Sequence, residues 1–95
     1  MKLIKPAQAG SFESSDIMIL IKPSEENSGR KLEIDSSVML QYGETLTKLI
    51  NTVLDKYEIS NIHLIAKDKG ALEATIKARL ETAIKRSLNK QKGTL

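Results

Sequence analysis

The chain has no cysteine and no tryptophan, a single histidine, and only one Phe and two Tyr among its 95 residues. Without cysteine the polypeptide supplies no disulfide framework, no thiolate metal site and no thiol nucleophile, so any thioester chemistry requires a thiol added after synthesis. With so few aromatic rings, dispersed along the chain, it has no base-stacking platform of the RNA-recognition type, and its core has to be aliphatic, built from Ile, Leu, Val and Met. Long hydrophobic runs are missing too. The longest, Ile17 to Ile21, falls far short of the roughly 20 residues of a membrane-spanning helix, and Met1-Lys2-Leu3-Ile4-Lys5-Pro6 has too short an apolar run for a signal peptide. A soluble, cytoplasmic protein is expected.

What is present fits one small domain. Ninety-five residues, 40% of them hydrophobic, are enough for a single modest core over 1–95 and too few for a catalytic domain with its own substrate cleft. One task, carried out with partners, is therefore expected. The net charge of +3 is unevenly placed: residues 1–58 hold seven Lys or Arg against nine Asp or Glu, and residues 59–95 hold eight against three. A basic C-terminal helix suits RNA or an acidic partner surface, but Lys85, Arg86, Lys90 and Lys92 also stand where cations favour a helix C-terminus. Basic charge alone carries no base readout.

The order of elements reads as α+β. Residues 1–8 are extended, with Pro6 excluding a helix. Residues 9–22 form a strand interrupted or folded back at the polar turn Glu13-Ser14-Ser15-Asp16, which should be exposed. Pro23 ends that strand, and residues 23–30 have a loop's composition before Leu32-Glu33-Ile34-Asp35 alternates as a second strand, expected to pair with the first as an antiparallel hairpin. Ser36 or Ser37 can cap a helix in which Val38, Tyr42, Leu46, Leu49, Ile50, Val53, Leu54 and Tyr57 share one face. Gly43 costs that helix on the order of 1 kcal/mol against Ala, compatible with a kink or with a start near Glu44. Ile62, Leu64 and Ala66 then alternate toward the core, with His63, Ile65 and Lys67 on the other face. Asp68 can cap a last helix whose apolar stripe is Leu72, Ile76, Leu80, Ala83, Ile84 and Leu88, and residues 89–95 should fray. The order β-β-α-β-α predicts a two-layer sandwich, two helices on one face of a small, mostly antiparallel sheet.

Few residues offer chemistry. His63 has no second histidine or cysteine to share a metal and reads as a structural histidine. A nucleophilic pair of Ser14 or Ser15 with His63 is formally available, but no nucleophile elbow or oxyanion hole is visible. Asp68-Lys69-Gly70-Ala71 lacks the spaced glycines of a phosphate loop. The remaining candidate is the stretch Gly10-Ser11-Phe12-Glu13-Ser14-Ser15-Asp16, an acid-flanked serine turn where a covalent attachment can sit.

Met1-Lys2-Leu3, Pro6-Ala7, Ala9-Gly10, Glu13-Ser14 and Asp16-Ile17-Met18-Ile19, in this spacing, resemble the opening of the acyl carrier subunit (gamma chain) of citrate lyase. The likeness continues through Leu32 to Ser37 with Val38, through Gly43 to Tyr57, and through Asp68-Lys69-Gly70-Ala71-Leu72 followed by Ala78-Arg79-Leu80-Glu81. It implies a cofactor, 2'-(5''-phosphoribosyl)-3'-dephospho-CoA, joined through a phosphodiester to the serine of a Gly-(Ser/Thr)-x-Glu-Ser block; the matching residue is Ser14. The next position in the family is often Gly and here is Ser15, a second hydroxyl and the less favoured acceptor. The resemblance also implies three partners: an alpha subunit that exchanges acetyl for citryl, a beta subunit that cleaves the citryl thioester, and the enzyme that transfers the prosthetic group. The carrier itself makes and breaks no bonds. Ala71 to Leu88 is a candidate docking face, with Lys77, Arg79 and Lys85 its cations. A citramalate lyase carrier, or a small basic module binding RNA or protein, is the alternative.

Overall fold

The computed structural model describes residues 2–36 and 39–89. Its elements are β1 (Ala7–Gly10), β2 (Ile17–Pro23), β3 (Arg30–Ser36), α1 (Met39–Lys56), β4 (Ile62–Asp68) and α2 (Glu73–Ser87). The expected α+β sandwich is present, and the serine turn folds the first segment back so that it counts as two strands. β1 pairs antiparallel with β2 in the register Ala7↔Ile21 to Gly10↔Met18. The sheet order is β1-β2-β4-β3.

The hairpin expected between the 17–21 and 32–35 strands does not form. β4 inserts between them, antiparallel to β2 and parallel to β3, from Arg30↔Ile62 to Ser36↔Asp68. The reason lies in burial on the inner face: Ile62, Leu64 and Ala66 are fully buried, and the central place in the sheet lets both neighbours cover them. Leu32 and Ile34, at the edge, are only partly buried.

Alternation buries one face of the sheet, the other carrying the half-buried Met18, Leu20 and Ile65 among polar residues. Ile17, Ile19 and Ile21 of β2 and Ile62, Leu64 and Ala66 of β4 point under the helices, meeting Leu46, Ile50, Val53 and Leu54 of α1 and Ile76, Leu80, Ala83 and Ile84 of α2 in one cluster. α2 lies over β1 and β2 and α1 over β3, with the helices touching.

Three local expectations change. α1 begins at Met39 and runs through Gly43 rather than starting at Glu44; Ser37, Val38, the Tyr42 side chain and residues 90–95 lie outside the described residues. Asp68 does not cap α2, which starts at Glu73 after Leu72 with no side-chain cap. Four residues too early for that role, Asp68 instead accepts hydrogen bonds from the N–H groups of Gly70 (3.2 Å) and Ala71 (2.9 Å) and from the Ser36 hydroxyl (2.7 Å), tying the ends of β3 and β4 to the turn before α2. Leu72, placed in the apolar stripe, is 75% exposed because it precedes the helical periodicity.

Candidate functional site

The serine turn stands at the end of the sheet where β2 starts and β4 finishes. Its neck is Gly10, at φ 96°, a conformation that L side chains rarely adopt. A Cβ there would lie 1.7 Å from the Ile17 carbonyl oxygen, so the two strands close on each other only if position 10 is glycine.

Beyond the neck the loop is tied on three sides. The N–H of Asp16 donates to the Glu13 carbonyl (3.2 Å), closing a four-residue turn with Ser14 and Ser15 as its central pair. Ser15 has φ 65°, which the third position of a type II turn requires and which glycine adopts without strain. The sheet ladder extends into the turn: Ser15 N–H donates to the Lys69 carbonyl (2.8 Å), and Lys69 N–H donates to the Asp16 carbonyl (2.9 Å). Ser15 is thereby held by its backbone against the strand end, with Ser14 one residue earlier at the corner, and both side chains are exposed.

Asp16 is the loop's electrostatic centre. Its carboxylate accepts from Arg79 Nε (3.0 Å) and Nη2 (3.2 Å), from the Ser11 hydroxyl (2.7 Å) and from the N–H of Ile17 (2.7 Å). The two-pronged Arg79 contact, then the Ser11 and Ile17 bonds, favour the charged form and hold its pKa down from the ordinary 3.8 to about 2, against the small opposing effect of burial. Arg79 comes from the middle of α2, 63 residues away in sequence, so the core that docks α2 also fixes the turn.

Of the residues singled out from sequence, Ser14, Ser15 and Asp16 lie together in this turn and Glu13 is exposed beside them. His63 is elsewhere. It sits near the opposite end of β4, five residues or roughly 16 Å along the strand from Asp68, where Nε2 is hydrogen-bonded to Glu33 Oε2 and this partner holds the Glu33 carboxyl below its usual range. The serine–histidine pair is therefore not assembled. Gly10 and Ser11 also belong to the candidate stretch, and the structure gives them their parts, the neck and a hydroxyl on Asp16. Arg79 and Lys69 were missed as parts of the site, and neither left a local signal. Among the described residues no group of three or more His, Cys, Asp or Glu is arranged to hold a metal, and no helix is long and apolar enough to cross a membrane.

The fold is thus a two-layer sandwich that presents a hydrogen-bonded serine turn at one end of its sheet. Residues 4–87 match the family described as ACP: Malonate decarboxylase delta subunit (MdcD). The chain is 42% identical over 87 residues to the citrate lyase acyl carrier protein of Edwardsiella ictaluri, covering 92% of this chain and 88% of that one. It is 43% identical over 91 residues to the protein of that name from Latilactobacillus sakei, covering 96% and 88%. Its fold is similar to a chain of the Pseudomonas malonate decarboxylase hetero-tetramer solved in complex with malonate, with TM-score 0.71 at 18% identity over 90% of this chain and 91% of that one. The chain belongs to this family of acyl carrier proteins.

Proposed function

We propose that this protein is the acyl carrier subunit of a citrate lyase, anchoring 2'-(5''-phosphoribosyl)-3'-dephospho-CoA through a phosphodiester at the Ser14 hydroxyl. The observation that carries the assignment within the turn is the contrast between its two serines. Both side chains are exposed, where a transferase can reach them, but Ser15 is pinned through its N–H to Lys69 and occupies a backbone conformation suited to the glycine common in the family, which leaves Ser14 as the acceptor. The residues fit such a group: an accessible hydroxyl is the one function a phosphodiester needs from the protein, and its approach is not walled in. When bound, the group supplies the thiol that the cysteine-free chain lacks.

The chain's own part is mechanical. Gly10, Asp16 and Arg79 keep the anchor at a fixed place on the surface, so an attached acyl group stays at high effective concentration near the active sites of the alpha and beta subunits and is not lost between steps. The catalytic groups belong to those partners. The alternative use of the basic helix is weakened by the placement of its arginines: Arg79 binds Asp16, and Arg86 donates to the Gln8 carbonyl at 2.7 Å.

Reconstitution tests the reading. Loaded chain added to alpha and beta subunits of a citrate lyase lacking their carrier should restore citrate cleavage, and Ser14→Ala should abolish it. Restoration of citramalate cleavage with the alpha and beta subunits of a citramalate lyase, and none with those of a citrate lyase, moves the assignment to citramalate lyase. Full activity of the Ser14→Ala chain sinks it.

A further inference from the structure

A groove of about 290 Å³ opens beside the turn, lined by Phe12, Asp35, Lys67, Asp68 and Lys69. Phe12 is the chain's one phenylalanine and is 63% exposed, two residues before the anchor. A lone exposed ring is ordinary on a protein surface; this one lines a groove together with two lysines. Lys69 has its N–H and carbonyl bound to Asp16 and Ser15, which fixes its backbone against the anchoring turn and leaves its side chain exposed. Lys67 stands 3.5 Å from Asp35, a pair open enough to water to exchange partners at little cost. The other carboxylate, Asp68, is turned inward to Ser36 and to the N–H groups of Gly70 and Ala71, so donors already meet its charge. The exposed ring gives a purine base a face to stack on, and Lys69, beside it and apart from the Lys67–Asp35 pair, gives a neighbouring phosphate a cation to meet.

We infer that this groove seats the adenine nucleotide portion of the CoA-type group: the base stacks on Phe12, the Lys69 ammonium pairs with a phosphate, and the thiol-bearing end is left free. The inference rests on Ser14 as the anchor. Its volume, at the small end of ligand pockets, suits a base and its neighbouring phosphate but not the whole group. Because the group is tethered at the groove's rim, its local concentration is high and shallow contacts suffice to hold it. The seated nucleotide would shorten the mobile arm to its pantetheine end.

Nuclear magnetic resonance separates this inference from the anchor assignment. In one arm, free dephospho-CoA is titrated onto the unloaded chain, which reads the groove whether or not Ser14 accepts the group. We expect saturable shifts at the Phe12 ring and the amides of Lys67 to Gly70, with affinity about five- to tenfold weaker in Phe12→Ala, and weaker in Lys69→Glu and at high salt. Both positions are exposed, so the variants should fold. In the other arm, a chain whose loading is verified by mass is compared with the unloaded chain. The Phe12 ring and the Lys67 amide should move with no ligand added, whereas the Lys69 amide, bonded to Asp16, moves with loading of the turn alone; Phe12→Ala should abolish the Lys67 shift. Shifts at the Phe12 ring and Lys67 in the loaded chain alone support the inference, the tether then supplying the concentration. Shifts confined to Glu13–Asp16 and Lys69 in the loaded wild-type chain overturn it, whether or not the free nucleotide binds, and leave the anchor standing. A chain that binds free dephospho-CoA in the groove yet is never loaded by an active transferase overturns the anchor and with it the seating of a tethered group.

Discussion

Ser15 pays in strain for a side chain that the turn does not use. A non-glycine residue at φ 65° costs on the order of 1 kcal/mol, partly offset because glycine has more freedom to lose on folding. Ser15→Gly should therefore raise stability by about 0.5 kcal/mol in denaturant unfolding and leave loading intact, which a modification centred on Ser15 would not permit. Gly10→Ala should do the opposite. With a Cβ 1.7 Å from the Ile17 carbonyl, relief requires opening the β1–β2 neck, and a loss of at least about 3 kcal/mol is expected from the overpacking; an unchanged melting midpoint contradicts the geometry. At this scale the sequence is informative about Ser14, because Gly, Ser and Asp clustered before an apolar run announce an exposed turn. It is silent about Lys69, whose part is played by its backbone.

α2 and the turn are joined by one ion pair, Arg79 to Asp16, and its pH dependence has a definite sign. The folded-state pKa of Asp16, about 2, is below its ordinary 3.8, so the stability it contributes is present above about pH 4 and is lost as the pH falls toward 2. With the pair partly open to solvent, its size should be of order 1 kcal/mol. Arg79→Ala should lower stability by about that amount at pH 7 and by little at pH 2, and acid titration of the two proteins by circular dichroism checks whether the curves converge. Parallel curves would mean that the pair does not set the Asp16 titration. None of this could be read locally, since 63 residues separate the partners and Arg79 looked like one more cation on a basic helix. The strand order was hidden for a related reason. β3 and β4 alternate apolar residues and β2 is an unbroken apolar run, and either pattern identifies a strand without naming its neighbours. The parallel pairing of β3 with β4 is decided by how α1 carries the chain from one to the other.

As a whole molecule the protein keeps its helices on one side of the sheet and presents the serine turn at one end of it. The charge of α2 offers partner enzymes a surface, but its cations divide into two kinds. Lys77 and Lys85 are exposed, whereas Arg79 holds the turn. The double variant Lys77→Glu with Lys85→Glu should reduce capture by the alpha and beta subunits in a pull-down while leaving loading of Ser14 unchanged. Undiminished capture removes α2 as the docking face. Arg79→Glu would confound the two roles and is the wrong probe. The sandwich and its aliphatic core were legible from periodicity because each apolar stripe matches one element's repeat; how Lys69 and Arg79 come to the serine turn was not, since that depends on the sheet order and on the docking of α2. The most direct test of the account is the intact mass of the chain co-produced with active prosthetic-group enzymes, with peptide mapping across Lys5 to Lys22. A single phosphoribosyl-dephospho-CoA on Ser14 is the predicted result; an unmodified chain, or a group on Ser15, contradicts it.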